Sequence, residues 1–493
     1  MSNQNLKQKA ITGVVWTSIQ RFSQIFVSFI SGIVLARLLE PEDYGCIGML
    51  SIFMLLSATI IDGGFGSALI QKKRPTQDDY STVFFWNLGL SIIIYAVLFV
   101  SSPLIARFYK IPLLCDVLRV QGVVLIINAL QTIQSNQLNK QFRFKEIAIT
   151  LTCSSIFSLI ITIYLAYNGW GVWALVIQNI LMALVPTLVF WLTNKWYPRF
   201  VFSMKSLKEL FSFGFYMFLT SMVSTIVNNI QGLLIGRVYN PALMGYYSKA
   251  YSTEQLASKT ISQVVAQVTY PLYAELQDSK QMMISALKKI TSSIAFVTFP
   301  LMFLLILIAK PTFILLYSDK WLESVPYFQM LCLAGLATCL QAANSQTIAA
   351  IGKSKEMFKW SLVKQLVGVT FVVVGLLIYG IKGLLVGMVL KTWLVYLVNA
   401  SLVSYYIGYK LRTQLLDLCP ILVVAIISFV VAYLFESIVS CSMYIDATFK
   451  LIVFVALYLG IAKVLKLESF SLCIDVVKPY VLGIVKRKNK NNF

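Results

Sequence analysis

The residues best placed to do chemistry in this 493-residue chain are charged and amide side chains inside long apolar runs. Arg21 lies several residues deep in the first run. It shares a stripe with Thr17, Gln20, Gln24, Ser28 and Ser31, whose three- and four-residue steps put them on one helical face. A guanidinium does not shed its charge, so at that depth it must meet water, a carboxylate or an anionic ligand. A second stripe holds Ser221, Ser224, Thr225, Asn228 and Gln231, a third Asn128, Gln131 and Ser135, and a fourth Thr338, Gln341 and Ser345, with Asn344 beside it. Lys249, Glu254 and Lys259 crowd an unusually polar run near 243–270, and Lys391 sits deep in a later one. Set against the single carboxylate of Glu254, these cations would make an enclosed cavity select an anion.

Other charges have simpler readings. Glu254 either neutralises a neighbouring lysine or joins the polar lining. Asp62, followed by Gly63, Gly64 and Gly66, is a candidate gate or cation ligand, or merely a helix-ending turn. Lys364 lies about a turn inside its run, so it is expected to reach the membrane surface along its own stem. Arg119 is expected to pair with Asp116 three residues before it.

Catalysis finds no support. The chain has no histidine, which removes most zinc sites and the Ser/His/Asp and Cys/His systems. Its eight cysteines are scattered without a CxxC pair and are expected to be small packing residues. No catalytic residue, metal site or cofactor is expected, apart from a sodium ion or proton as coupling ion.

The elements that position these residues follow from composition. Hydrophobic residues make up 58% and charged residues 12%, and the mean hydropathy is +0.78, beyond the range of a soluble domain. A helix needs about 20 apolar residues to span a bilayer, and the pattern predicts fourteen such spans, the eighth being the weakest. The fold class is therefore an all-α integral membrane protein. Lys and Arg number 41 against 20 acids, a net charge of +21. Of the 41, 27 fall in the N-terminal segment, the even-numbered loops and the tail, and 8 fall on the opposite side. By the positive-inside rule both termini are expected in the cytoplasm. Because the charge is spread between spans and not gathered in one domain, nucleic acid is not an expected partner. The tail residues Lys486, Arg487, Lys488 and Lys490 are expected to set orientation, with membrane lipid as a secondary contact.

An internal repeat organises the spans. ISGIVLARLLEPEDYG (30–45) aligns with IQGLLIGRVYNPALMG (230–245) at an offset of 200, sharing Ile, Gly, Arg, Pro and Gly. LQTIQSNQ (130–137) faces LQAANSQT (340–347) at an offset of 210. Six spans separate the copies, so the halves run parallel through the membrane and a site is expected between them. The expected divisions are an N-terminal lobe (1–206), a C-terminal lobe (207–410) and two extra helices with the basic tail (411–493). The paired polar stripes then read as the lining of a water-filled cavity.

The runs ARLLEPEDYG, IDGGFGSALIQKK and GWGVWALV resemble the polysaccharide transporter, or O-antigen flippase, family, whose superfamily also holds lipid II flippases and multidrug extruders. The similarity extends over nearly the whole chain. It implies a cytoplasmic-membrane transporter carrying an undecaprenyl diphosphate-linked oligosaccharide from the inner to the outer leaflet by alternating access, beside polysaccharide polymerases and glycosyltransferases. The diphosphate would then meet Arg21 and the other deep cations, and the sugar Gln24, Asn228, Gln231, Gln341 and Asn344, with Tyr247 and Tyr251 as stacking surfaces. One alternative is a drug/cation antiporter of the same superfamily, which would place acids, not Arg21, deep in the N-terminal lobe. A membrane glycosyltransferase or polymerase using Glu40, Glu42 and Asp43 is the other.

Overall fold

A computed structural model describes residues 3–434 and 443–473. The helices are α1 (Asn3–Leu38), α2 (Pro41–Asp62), α3 (Phe65–Gln71), α4 (Gln77–Tyr109), α5 (Leu113–Lys140), α6 (Phe144–Tyr167), α7 (Val172–Thr193) and α8 (Met204–Val238). They continue as α9 (Pro241–Glu275), α10 (Lys280–Leu307), α11 (Ala309–Tyr317), α12 (Ser324–Ala350), α13 (Ser354–Ile407), α14 (Leu411–Leu434) and α15 (Met443–Val464), with a 3-10 turn at Asp319–Trp321. No strand occurs among the described residues. Helices dominate because a segment surrounded by hydrocarbon must satisfy every backbone polar group within itself.

Twelve described segments are long and apolar enough to cross a membrane, against the fourteen expected. One difference is α13, a single element over the eleventh and twelfth expected spans, broken at Tyr379 (φ −127°) and Gly380 (φ 61°, ψ −142°). Its two arms fold back on each other. A Cβ at Gly375 would collide with the Gly383 backbone, and one at Gly387 with the Phe371 carbonyl, so glycine alone allows this approach. The other difference is α9, which is too polar to meet the hydropathy requirement. The basic tail residues Lys486, Arg487, Lys488 and Lys490 lie outside the described residues.

The repeat reappears in the helix boundaries. α1 ends at Leu38 and α8 at Val238, while α2 starts at Pro41 and α9 at Pro241. At the 210 offset, α5 ends at Lys140 and α12 at Ala350, and α6 starts at Phe144 and α13 at Ser354. Proline is suited to the first helical turn because its missing N–H is an orphan there in any case. Arg37 and Arg237 occupy the last turns of α1 and α8, as expected of cations at carbonyl-rich helix ends.

The chain divides into two compact units, 1–248 and 249–493. In the first, α2 and α8 pack along a seam. Gly45 lies against the Pro241 carbonyl and Gly245 against that of Pro41. Further along, Thr59 and Thr225 hydroxyls meet at 3.2 Å, and Gly64 lies against Gly214. Lipid is as apolar as leucine, so close backbone approach and interhelical hydrogen bonds hold such seams where hydrophobic burial cannot. Phe65, Phe84 and Leu210 form a buried core with Trp86, Trp191 and Trp196. Beside it, Lys140 Nζ donates to the Leu69, Ile70 and Lys72 carbonyls and caps α3. Lys72 bridges Asp79 at 3.1 Å and Glu209 at 3.2 Å. Burial pulls its ammonium pKa down, but the two carboxylates outweigh that effect and hold it above the usual lysine range.

In the second unit, Trp321 is fully buried with Phe299, Phe313 and Phe328. α10 packs against α12, α14 and α15, where Tyr458 donates its hydroxyl proton to the Phe296 carbonyl at 2.9 Å.

Candidate functional site

In the first unit the polar stripe of α1 meets two environments. Ser31 accepts a hydrogen bond from Gln178 Nε2 at 3.1 Å, which fixes the C-terminal end of the stripe against α7. Arg21 is exposed and Gln24 half-buried, and no hydrogen bond or ion pair holds Arg21 among the described residues. On α8, Asn228 is exposed while Gln231 is buried, donating Nε2 to the Asn228 carbonyl at 2.7 Å. The stripe thus divides into an accessible amide and a packed one.

Asp62 ends α2. Gly63 and Gly64 adopt left-handed backbone (φ 52° and 79°), and Asp62 Oδ2 accepts the Gly64 N–H at 3.3 Å, which supports the helix-ending reading. Its side chain also lines a cavity of about 140 Å³ with Asn87, Asn128 and Thr132.

In the second unit Lys249 is 4% exposed. Its ammonium lies 4.0 Å from the Tyr317 ring centroid and 5.5 Å from that of Trp321, an arrangement in which ring quadrupoles stabilise a cation. Glu254 is also buried, and the groups bonded to its carboxylate are the neutral Gln255, at 2.9 Å, and Ser258. Its other oxygen abuts Gly335, where a Cβ would leave no room. Two backbone acceptors dock α9 onto α12: Ser258 O receives Cys339 Sγ–H, and Thr338 O receives the Ser262 hydroxyl. Lys259, on the same helix, is exposed.

Gln341 donates to the Thr392 carbonyl at 2.8 Å, tying α12 to the second arm of α13. Asn344 is fully buried with neither amide atom bonded among the described residues, so it sits in the packed interior of α12. The stem of Lys391 lies along Gly368. Of the two tyrosines expected as stacking surfaces, Tyr247 is buried and Tyr251 half-buried.

Two charges depart from expectation. Lys364 does not reach the surface; it is 6% exposed and donates to Asn399 Oδ1 at 2.6 Å. Asn399 in turn donates to Ser345 Oγ at 3.2 Å. This Lys364, Asn399, Ser345 chain was hidden because its members come from both arms of α13 and from α12, and only the fold-back at Gly380 brings them together. Arg119 bonds Ser102 Oγ at 2.9 Å and lies over the Phe99 ring at 4.5 Å, a partnership across helices in place of the local one with Asp116.

Within the acidic stretch at the start of α2, Asp43 has a structural role. Asp43 accepts the Glu40 N–H at 3.1 Å and the Val172 N–H, with Gly171 leaving room for its carboxylate. It thereby joins two of the three resemblance motifs, which lie well over a hundred residues apart.

A family profile described as polysaccharide biosynthesis protein matches residues 34–326. The chain belongs to that family. Teichuronic acid biosynthesis protein TuaB of Bacillus subtilis (strain 168) is 27% identical over 362 residues, covering 72% of this chain and 74% of its own. Lipopolysaccharide biosynthesis protein WzxC of Escherichia coli (strain K12) is 22% identical over 408 residues, 82% of each chain. Among solved structures, the lipid II flippase MurJ in an inward closed conformation aligns with a TM-score of 0.74 at 16% identity, over 92% of this chain and 99% of that one. An inward-facing multidrug resistance MATE family transporter aligns at 0.58 and 17% identity, over 81% of this chain and 99% of that one. The polysaccharide biosynthesis protein is therefore a multi-pass helical membrane protein with the fold of this transporter superfamily, as its motifs implied.

Proposed function

We propose that this protein carries an undecaprenyl diphosphate-linked oligosaccharide from the inner to the outer leaflet of a bacterial cytoplasmic membrane by alternating access, with both termini in the cytoplasm. The observation that carries the reading is Arg21, a permanent cation exposed on the polar face of α1 in a chain of the polysaccharide biosynthesis family. A diphosphate pairs with a guanidinium through strong, charge-assisted hydrogen bonds, and the accessible amides of Gln24 and Asn228 suit sugar hydroxyls. TuaB and WzxC, whose names place them in the biosynthesis of teichuronic acid and lipopolysaccharide, support a saccharide cargo. Lys249, Lys259 and Lys391 add positive charge to the substrate path.

The protein acts here as a transporter and not an enzyme, since Asp43 is engaged as a helix cap and is not left open as an outward acid. Coupling to a sodium or proton gradient supplies the driving force, and polymerases and glycosyltransferases act before and after it. Drug/cation antiport is the weaker reading, because the charge on the α1 stripe has the wrong sign for a lipophilic cation. The test is deletion in the native cell. The lipid-linked saccharide should accumulate on the cytoplasmic leaflet, and an unchanged distribution across the leaflets would overturn the reading.

A further inference from the structure

The cavity beside Asp62 is built where α2, α4 and α5 converge, and its polar lining is entirely oxygen-bearing: Asp62, Asn87, Asn128 and Thr132, over an apolar floor that includes Leu125 and Ala129. Asn87 is 1% exposed, yet among the described residues neither its amide oxygen nor its nitrogen has a hydrogen-bond partner. A buried amide left unpaired costs about 1–3 kcal/mol, so its presence at the wall of a polar cavity points to an occupant. Thr132 donates its hydroxyl proton to the Asn128 carbonyl at 2.8 Å, leaving the oxygen lone pairs for another partner. Asp62 Oδ2 takes the Gly64 N–H, the Gly66 N–H also turns toward the carboxylate, and Oδ1 lies close against Gly66, where a Cβ would crowd it.

We propose that this cavity is a sodium site, with Asp62 Oδ1, Asn87 Oδ1, the Asn128 side-chain oxygen and Thr132 Oγ1 as ligands. Hard cations take oxygen donors. One carboxylate balances one positive charge, whereas a divalent ion would keep an uncompensated charge within the membrane. No group of three or more His, Cys, Asp or Glu able to hold a metal ion occurs among the described residues. At about 140 Å³, the cavity has room for an ion and several waters, each water occupying ≈ 30 Å³ in the liquid. One of those waters meets the Asn87 amide nitrogen.

The site is also coupled to the fold. Thr59 lies one turn before Asp62 on α2 and bonds Thr225 on α8, so occupancy bears on the α2–α8 seam. This inference is independent of the saccharide reading, since it concerns only the residues around the cavity.

The test uses the purified full chain in lipid nanodiscs, followed by thermal unfolding and by binding of radioactive sodium, with choline chloride holding ionic strength constant. Sodium should raise the unfolding midpoint saturably, and choline and potassium should not. Asp62→Asn should weaken sodium binding by about tenfold or more, equivalent to ~1.4 kcal/mol. Asn87→Leu and Thr132→Val, which keep volume but remove a ligand oxygen, should weaken it as well and carry the test if Asp62→Asn fails to fold. Equal responses to sodium and choline would mean a water-filled cavity and overturn the proposal. So would equal responses to sodium and potassium, or wild-type sodium affinity in Asn87→Leu and Thr132→Val.

Discussion

Gly45 lies against the carbonyl of Pro241, and Gly245 lies against the carbonyl of Pro41. The relationship is reciprocal: equivalent positions of the repeat, 200 residues apart, exchange one contact. Proline starts each helix, and the glycine four residues on lets the opposite helix start come to backbone distance. Any side chain at Gly45 is too large. We expect Gly45→Val to lower stability by about 1–3 kcal/mol through overpacking, read as a lower unfolding temperature in detergent. Gly460→Val, where a Cβ meets open space, should leave the midpoint nearly unchanged. Equal effects of the two would remove the seam's special status.

Arg21→Ala should abolish export while the protein still reaches the membrane, because the exposed guanidinium on α1 has no structural partner to lose among the described residues. Arg21→Lys should keep part of the activity, since a point charge replaces a planar fork. Surface polysaccharide measured beside membrane protein level decides the matter, and normal polysaccharide in Arg21→Ala would remove the diphosphate role.

Cysteines placed singly at Gln24 and Ser224, both half-buried, should react with a water-soluble, membrane-impermeant thiol reagent in at least one transport state. Complete protection of either one under every condition would contradict an aqueous lining shared by the repeat-related stripes.

Asn399→Leu should destabilise the protein by about 3–5 kcal/mol, the scale of stranding a buried charge, because Lys364 then loses its 2.6 Å acceptor. Adding Lys364→Met should recover much of that loss. A double-mutant cycle on unfolding temperatures measures the coupling, and additive effects would show that the two side chains do not act together.

Asp43→Ala should cost about 1 kcal/mol through loss of a helix cap and also loosen the turn at Val172, while leaving export in place. Loss of export in a protein of normal stability would reopen a chemical role for this carboxylate.

Periodicity made much of this architecture legible in advance. The long apolar runs, the Pro and Gly pairs and the repeat offsets translate directly into helix boundaries at Leu38 and Val238, or Pro41 and Pro241, because helix starts and stops are local chemistry. Long-range partnerships were not legible. Nothing near Lys364 in the chain announces Asn399, and nothing near Arg119 announces Ser102. The local rule of pairing charges three or four residues apart misassigned Arg119 for that reason. The span count failed where one rule met two exceptions: a hairpin whose turn is only Tyr379 and Gly380, and a helix too polar for any hydropathy threshold. Likewise, Asp62 showed its glycine turn in sequence, whereas Asn87, the side chain that gives its cavity meaning, comes from another helix.

The polarity of α9 has a consequence for how the protein is made. Charged side chains at a helix centre cost about 2.5–3.5 kcal/mol each on insertion, and α9 carries Lys249, Glu254 and Lys259. The rings that receive Lys249, Tyr317 and Trp321, and the glycine that accommodates Glu254, Gly335, all emerge later from the ribosome. At ~5–20 residues per second, that delay is on the order of ten seconds. During it the newborn chain holds a polar helix whose partners in the second unit have not yet emerged, so α9 enters the bilayer only in company with the segments that follow, and biogenesis of this protein depends on a helix waiting for its neighbours.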